Sequence, residues 1–86
     1  MVKFTFMLFI AGRNSRSLKA VKNIKNICEN MSVDYNLITI DLFQNPSIAE
    51  DIRILATPLL LRTEPAPTRK FIGDLTSLEN EILISS

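Results

Sequence analysis

The chain has 86 residues, 47% of them hydrophobic, and ten basic against nine acidic side chains leave a net charge of +1. That balance carries no electrostatic footprint for nucleic acid, and the absence of histidine removes the commonest general base and the commonest metal ligand together. The single cysteine, Cys28, permits no internal disulfide, which fits a reducing compartment and a cytoplasmic location.

The length supports one domain over residues 1–86. A chain of this size buries only roughly 60–65% of its unfolded surface, so its core is thin and partner subunits would help it. The longest apolar run, Phe6 to Ala11, falls far short of the about 20 residues that span a bilayer. The N-terminal MVKFTFMLFIAG reads better as a strand and turn than as a signal peptide. No membrane segment is expected.

KFTFMLFIA, residues 3–11, is apolar on both alternating faces. Phe4, Phe6, Leu8 and Ile10 fall on one side, Thr5, Met7 and Phe9 on the other, which predicts a central strand covered on both sides. Gly12 ends it. Asn14 or Ser15 can then cap a helix running to about Asn30. Its apolar stripe is Leu18, Val21, Ile24, Cys28 and Met31, widened by Ala20 and Ile27. The opposite face carries Lys19, Lys22, Asn23, Lys25, Asn26 and Glu29.

DYNLITIDLF, residues 34–43, is β-branched and apolar and predicts a second strand. Strand, helix and strand in close order predict a right-handed βαβ unit with parallel strands. Asn45 followed by Pro46 marks the start of a helix of about two turns, with Ile48, Ile52 and Leu55 as its stripe. ATPLLLR and RKFIGDL, separated by EPAPT, predict an antiparallel hairpin. Thr76 and Glu79 in LTSLENEILISS fit a capping box for a last helix. The predicted order is βαβαββα.

Pro58 stands at the entrance of the third strand, where its missing N–H is best tolerated. A βαβ half followed by a second half with this proline resembles the thioredoxin-like fold. In that fold the proline is usually cis, and the resemblance implies the same isomer for Pro58. Thioredoxin-like enzymes place Cys-x-x-Cys opposite it, at the first helix's N-terminus, where the helix dipole lowers a thiol pKa. Here that stretch is Gly12-Arg13-Asn14-Ser15-Arg16-Ser17, with no cysteine. Cys28 lies about three turns along, on the apolar stripe, and reads as a buried inert thiol. A thiol-disulfide enzyme is therefore disfavoured.

The acidic side chains offer no better catalyst. Asp41 ends a strand, Glu50 and Asp51 lie on a short helix, and Asp74 follows Gly73 in a turn; each reads as solvated or capping. No Cys, His or Asp set has metal-ligand spacing. Two glycines are too few for a phosphate-cradling loop. No catalytic residue, cofactor or metal is assigned. The basic residues Arg13, Arg16, Lys19 and Lys22 make the start of the first helix cationic. Arg53 and Arg62 flank the proline turn, and Arg69 and Lys70 enter the last strand. These read either as solvated positions or as a patch for an acidic partner surface, since such charge speeds and orients association. Nucleic acid is disfavoured, because no aromatic residues are interleaved with the basic ones.

FIAGRNSRSLKAVKNI, ITIDLFQNPSIAEDIRILATPLL and EPAPTRKFIGDL together resemble the KaiB family of small clock proteins, over nearly the whole chain. NPSIAEDIRILATP is the most diagnostic run. The resemblance implies a non-enzymatic protein that binds the N-terminal ATPase ring of hexameric KaiC. There it would compete with the KaiB-like sensor domain of a histidine kinase. The resemblance also implies two folds: a tetrameric resting form whose second half is ββααβ, and a monomeric binding form with αββα. A homo-oligomer, dimer or tetramer, is expected on the same ground. A KaiB-like sensor module of a kinase pathway is the alternative reading.

Residues assigned to such a switch are Phe4, Pro58, Pro65, Pro67, Gly73, Asp74 and Ile84. EILIS suits helix or strand, so local preference does not decide between the folds. Departures from the cyanobacterial pattern are Pro65-Ala66-Pro67 in place of three prolines, Ser15 in place of a proline, and Phe4 in place of a tyrosine. Ile84 and Ser86 stand where the family can carry a glycine and an aspartate. These differences imply a relative outside the cyanobacterial clock and leave KaiA open as a partner.

Overall fold

The computed structural model describes residues 3–52 and 57–72. Its elements are β1 (Lys3–Ile10), α1 (Ser15–Asn30), β2 (Asp34–Asp41), α2 (Pro46–Ile52), β3 (Leu59–Glu64) and β4 (Arg69–Ile72). They form a four-stranded mixed sheet in the order β2-β1-β3-β4. β1 pairs with β2 in parallel, Lys3 opposite Asp34 through Ile10 opposite Asp41. It pairs antiparallel with β3, and β3 with β4, as the predicted hairpin requires. This is the thioredoxin-like arrangement, and the described part of the second half runs α2-β3-β4, not ββααβ. The expected last helix, with Gly73, Asp74, Thr76, Glu79 and Ile84, lies outside the described residues, as does Arg53.

β1 is central because both its faces are apolar. Phe4, Phe6, Leu8 and Ile10 pack with Ala20, Ile24, Ile27 and Cys28 of α1 and with Leu60 and Phe71 of the hairpin. On the other face Phe9 packs with Leu42 and Leu59, joined by Met7, Ile40, Ile48 and Leu61. Phe6, Leu8, Ile24 and Leu60 are fully buried, each contributing about 1.5–3 kcal/mol by leaving water.

Two members of the expected helix stripe are not in the core. Leu18 is 60% exposed and Met31 is 50% exposed. Leu18 sits in the first turn and shares a hollow with Thr39 of the edge strand β2, beyond which no further strand lies among the described residues. Met31 is the helix C-cap, and the chain turns away at Ser32 with φ +54°. β2 also ends two residues earlier than expected, at Asp41, because that residue's carboxylate organises a turn. β3 begins at Leu59, directly after Pro58, whose peptide bond is cis, as are those preceding Pro65 and Pro67.

Candidate functional site

The C-terminal ends of β1 and β2 lie side by side, and the turns leaving them are tied to one oxygen. Asp41 Oδ1 accepts the backbone N–H of Gly12 at 2.9 Å and that of Phe43 at 3.0 Å. Asn45 donates its side-chain amide to the Asp41 carbonyl at 3.0 Å, and the Leu42 N–H reaches the Ile10 carbonyl at 2.8 Å. Asp41, read from sequence as a solvated or capping residue, is a structural acceptor for both turns. Gly12 adopts φ +78°, a left-handed conformation, and a Cβ there would lie 2.8 Å from the Phe43 ring. Glycine serves both the turn and the close approach.

α1 starts from this turn. Asn14, not Ser15, is the N-cap: extended at φ −134°, it accepts the Ser17 N–H through Oδ1 at 3.0 Å. Its side-chain amide donates to the Ala11 carbonyl at 3.1 Å, fastening the helix start to the end of β1. Arg13, Arg16, Lys19 and Lys22 are all exposed, and Lys25 continues them. The first helical turn carries no acidic residue. Their positive charge therefore adds to that of the helix N-terminus, where an acidic residue would be the stabilising choice.

Of the other expected cations, Arg53 is outside the described residues, and Arg62 and Arg69 lie in the hairpin, on the opposite side of β1 from β2. Arg62 is fully buried, not a surface extension of the patch. Strand alternation places it on the same side of β3 as Leu60, toward the core, with its guanidinium 5.9 Å from the centroid of the Phe4 ring. Burial pushes its pKa below the ordinary arginine value, and Arg69 adds to the effect. Arg69, directly opposite Arg62 in the hairpin, is half-buried. Phe4, expected as a switch residue, is a core residue whose ring stacks on Phe6 at 6.0 Å.

Next to the start of α1 lies a hollow of about 230 Å³, lined by Ile10, Arg13, Ser17, Leu18, Val21 and Thr39. Neither the hollow nor Phe43, 74% exposed at the β2–α2 turn, was picked out from sequence. Periodicity reports an apolar residue as core whether or not a neighbour arrives to cover it. The site offers little covalent chemistry. Cys28 is buried among α1 and β1 side chains, and burial first, with Glu29 second, pushes its thiol up to about 11. Among the described residues no group of three His, Cys, Asp or Glu side chains could hold a metal, and no helix is long and apolar enough to cross a membrane. The arrangement is suited to contact: a rigid turn pair, a cationic helix start and exposed apolar groups.

Comparison with known proteins gives this scaffold a lineage. A family model described as the KaiB domain matches residues 7–85. The circadian clock oscillator protein KaiB of Picosynechococcus sp. is 42% identical over 81 residues, covering 93% of this chain and 78% of that protein. KaiB1 of Synechocystis sp. is 41% identical, with 93% and 77% covered. Among solved structures, the N-terminal domain of Synechococcus elongatus SasA superposes with a TM-score of 0.77 at 28% identity, covering 95% of this chain and 81% of that one. Chloroplastic thioredoxin z, at 17% identity and a TM-score of 0.70, with 93% and 78% covered, shares the fold. With a domain match across almost its full length and relatives above 40% identity, the chain belongs to the KaiB family.

Proposed function

We propose that this protein is a non-enzymatic regulator that binds the N-terminal ATPase ring of a KaiC-like hexamer in the cytoplasm, in a circadian clock or a signalling system derived from one. The observation that carries this reading is the KaiB-domain match over residues 7–85. The cationic start of α1 supports it, as a surface that would orient an acidic partner. The described α2-β3-β4 order is the one the family uses when bound. A resting homo-oligomer, dimer or tetramer, with a ββααβ second half belongs to the same proposal.

Size-exclusion chromatography with light scattering tests it, on the protein alone and after long incubation with a KaiC-like hexamer and ATP. The expected result is an oligomer alone that slowly joins the ring. A protein that joins at once as a monomer would remove the switch and keep the binding. A protein that never joins a KaiC relative from the same host would overturn the reading.

A second reading, as a sensor module in a kinase pathway, is favoured by the 0.77 TM-score to the SasA N-terminal domain. It predicts competition with such a domain for the same ring, readable as displacement in the same chromatogram.

A further inference from the structure

Leu42 and Phe43 are neighbours in one turn, and the fold treats them oppositely. Leu42 is 8% exposed and closes the core beneath α2, whereas Phe43 is 74% exposed. An exposed aromatic on a loose loop would mean little. This one is held: its own N–H is fixed by Asp41, the following turn by Asn45, and its ring lies so close to Gly12 that a Cβ there would be 2.8 Å from it. Presenting a large apolar ring to water in a fixed position contributes nothing to the core, yet it lowers the ordering cost of inserting that ring elsewhere.

Its surroundings define the complement. Arg13 follows Gly12 directly and lines the hollow with the exposed Leu18. From residue 13 to residue 28 the chain has five cations and no acid. A knob, a hollow and a cationic helix start thus occupy the same end of the molecule, and the carboxylate between them, Asp41, is engaged by the Gly12 and Phe43 N–H groups.

Resting on the proposed ring-binding function, we infer that Phe43 is the apolar anchor of the interface, and that the protein surface it enters is an apolar pocket bordered by carboxylates that face Arg13 and the start of α1. Buried aromatic anchors with a charged rim are where interface energy concentrates.

The test uses the full-length protein, fluorescently labelled, titrated with the purified KaiC-like hexamer and ATP. Phe43→Ala is expected to weaken binding at least ~10-fold, mainly through faster dissociation, whereas Phe43→Leu stays within about threefold of wild type. The far-UV circular dichroism of both variants is expected to match wild type. As a measurement independent of any loss of affinity, p-benzoyl-phenylalanine placed at position 43 should photo-crosslink to the ring. If wild type binds while Phe43→Ala binds within about twofold of it, or if position 43 gives no crosslink, the anchor is overturned and the ring-binding reading stands. If wild type does not bind, the ring-binding reading fails and the inference with it.

Discussion

The carboxylate of Asp41 and the backbone N–H of Gly12, 29 residues apart in sequence, meet at 2.9 Å. The same oxygen takes the Phe43 N–H, so one side chain sets the geometry of both turns beneath the cationic helix start. Charge-assisted bonds of this kind are worth about 1.5–3 kcal/mol each where partly shielded. Asp41→Ala is expected to cost about 2–3 kcal/mol, and Asp41→Asn, which keeps an acceptor, about half of that. Thermal unfolding by circular dichroism would show the order wild type, Asn variant, Ala variant.

Gly12→Ala is expected to cost about 1–2 kcal/mol from the left-handed backbone alone. Its Cβ would also lie 2.8 Å from the Phe43 ring, closer than a real contact allows, so one of the two must shift. Repeating the substitution in a Phe43→Ala background separates the two effects. At least about 1 kcal/mol should persist there, and what disappears reports the ring.

Asn14 caps α1 and also holds Ala11. Asn14→Ala is expected to lose about 1 kcal/mol, whereas Asn14→Asp or Asn14→Ser keeps most of it. Urea denaturation would read this as a lower midpoint at unchanged slope.

Cys28 should be silent toward Ellman's reagent in the folded protein near neutral pH and react once the chain unfolds, and the protein should show no insulin-reducing activity. The thiol's pKa rises from its ordinary 9.0 to about 11 on folding. Between those values the unfolded chain has released this proton and the folded chain still holds it, so stability falls as pH rises across that window. Below pH 9 the group is neutral in both states and contributes no slope. Comparison with Cys28→Ala over the pH range isolates the effect.

Lys19→Glu combined with Lys22→Glu is expected to slow association with the ATPase ring by about 10-fold at low salt, with the rates converging as salt screens the surface. Stopped-flow mixing at two ionic strengths checks it. A salt-independent difference would point to a local contact in place of steering.

The elements that alternation and helical period define were legible, and the positions that depend on what arrives from elsewhere were not. Phe4, Phe6, Leu8 and Ile10 opposite Met7 and Phe9 require a strand covered on both faces, and β1 is that strand. Asn45-Pro46 marked α2 because both residues act locally. Leu18 carries the same periodicity signal as Ile24, yet one is exposed and the other buried, since only the sheet's edge decides between them. Arg62 reads as a surface cation by residue type, but strand alternation turns it beneath Phe4. Asp41 and Gly12 form one structural unit across 29 residues, which no local pattern announces.

The sheet is divided cleanly by chain order. Among the described residues, the sheet on one side of β1 is made by residues 34–41 and on the other by residues 59–72. One ladder, from Thr5–Phe9 to Leu59–Glu64 and already interrupted between Thr5 and Phe6, stitches the later piece to the earlier. Among the described residues that seam carries the hairpin's backbone pairing to β1, and no β1–β2 pair depends on it. The hairpin is thus joined to β1 by one ladder and held a second time through the core, where Leu60 and Phe71 pack with Ala20, Ile24, Ile27 and Cys28 of α1.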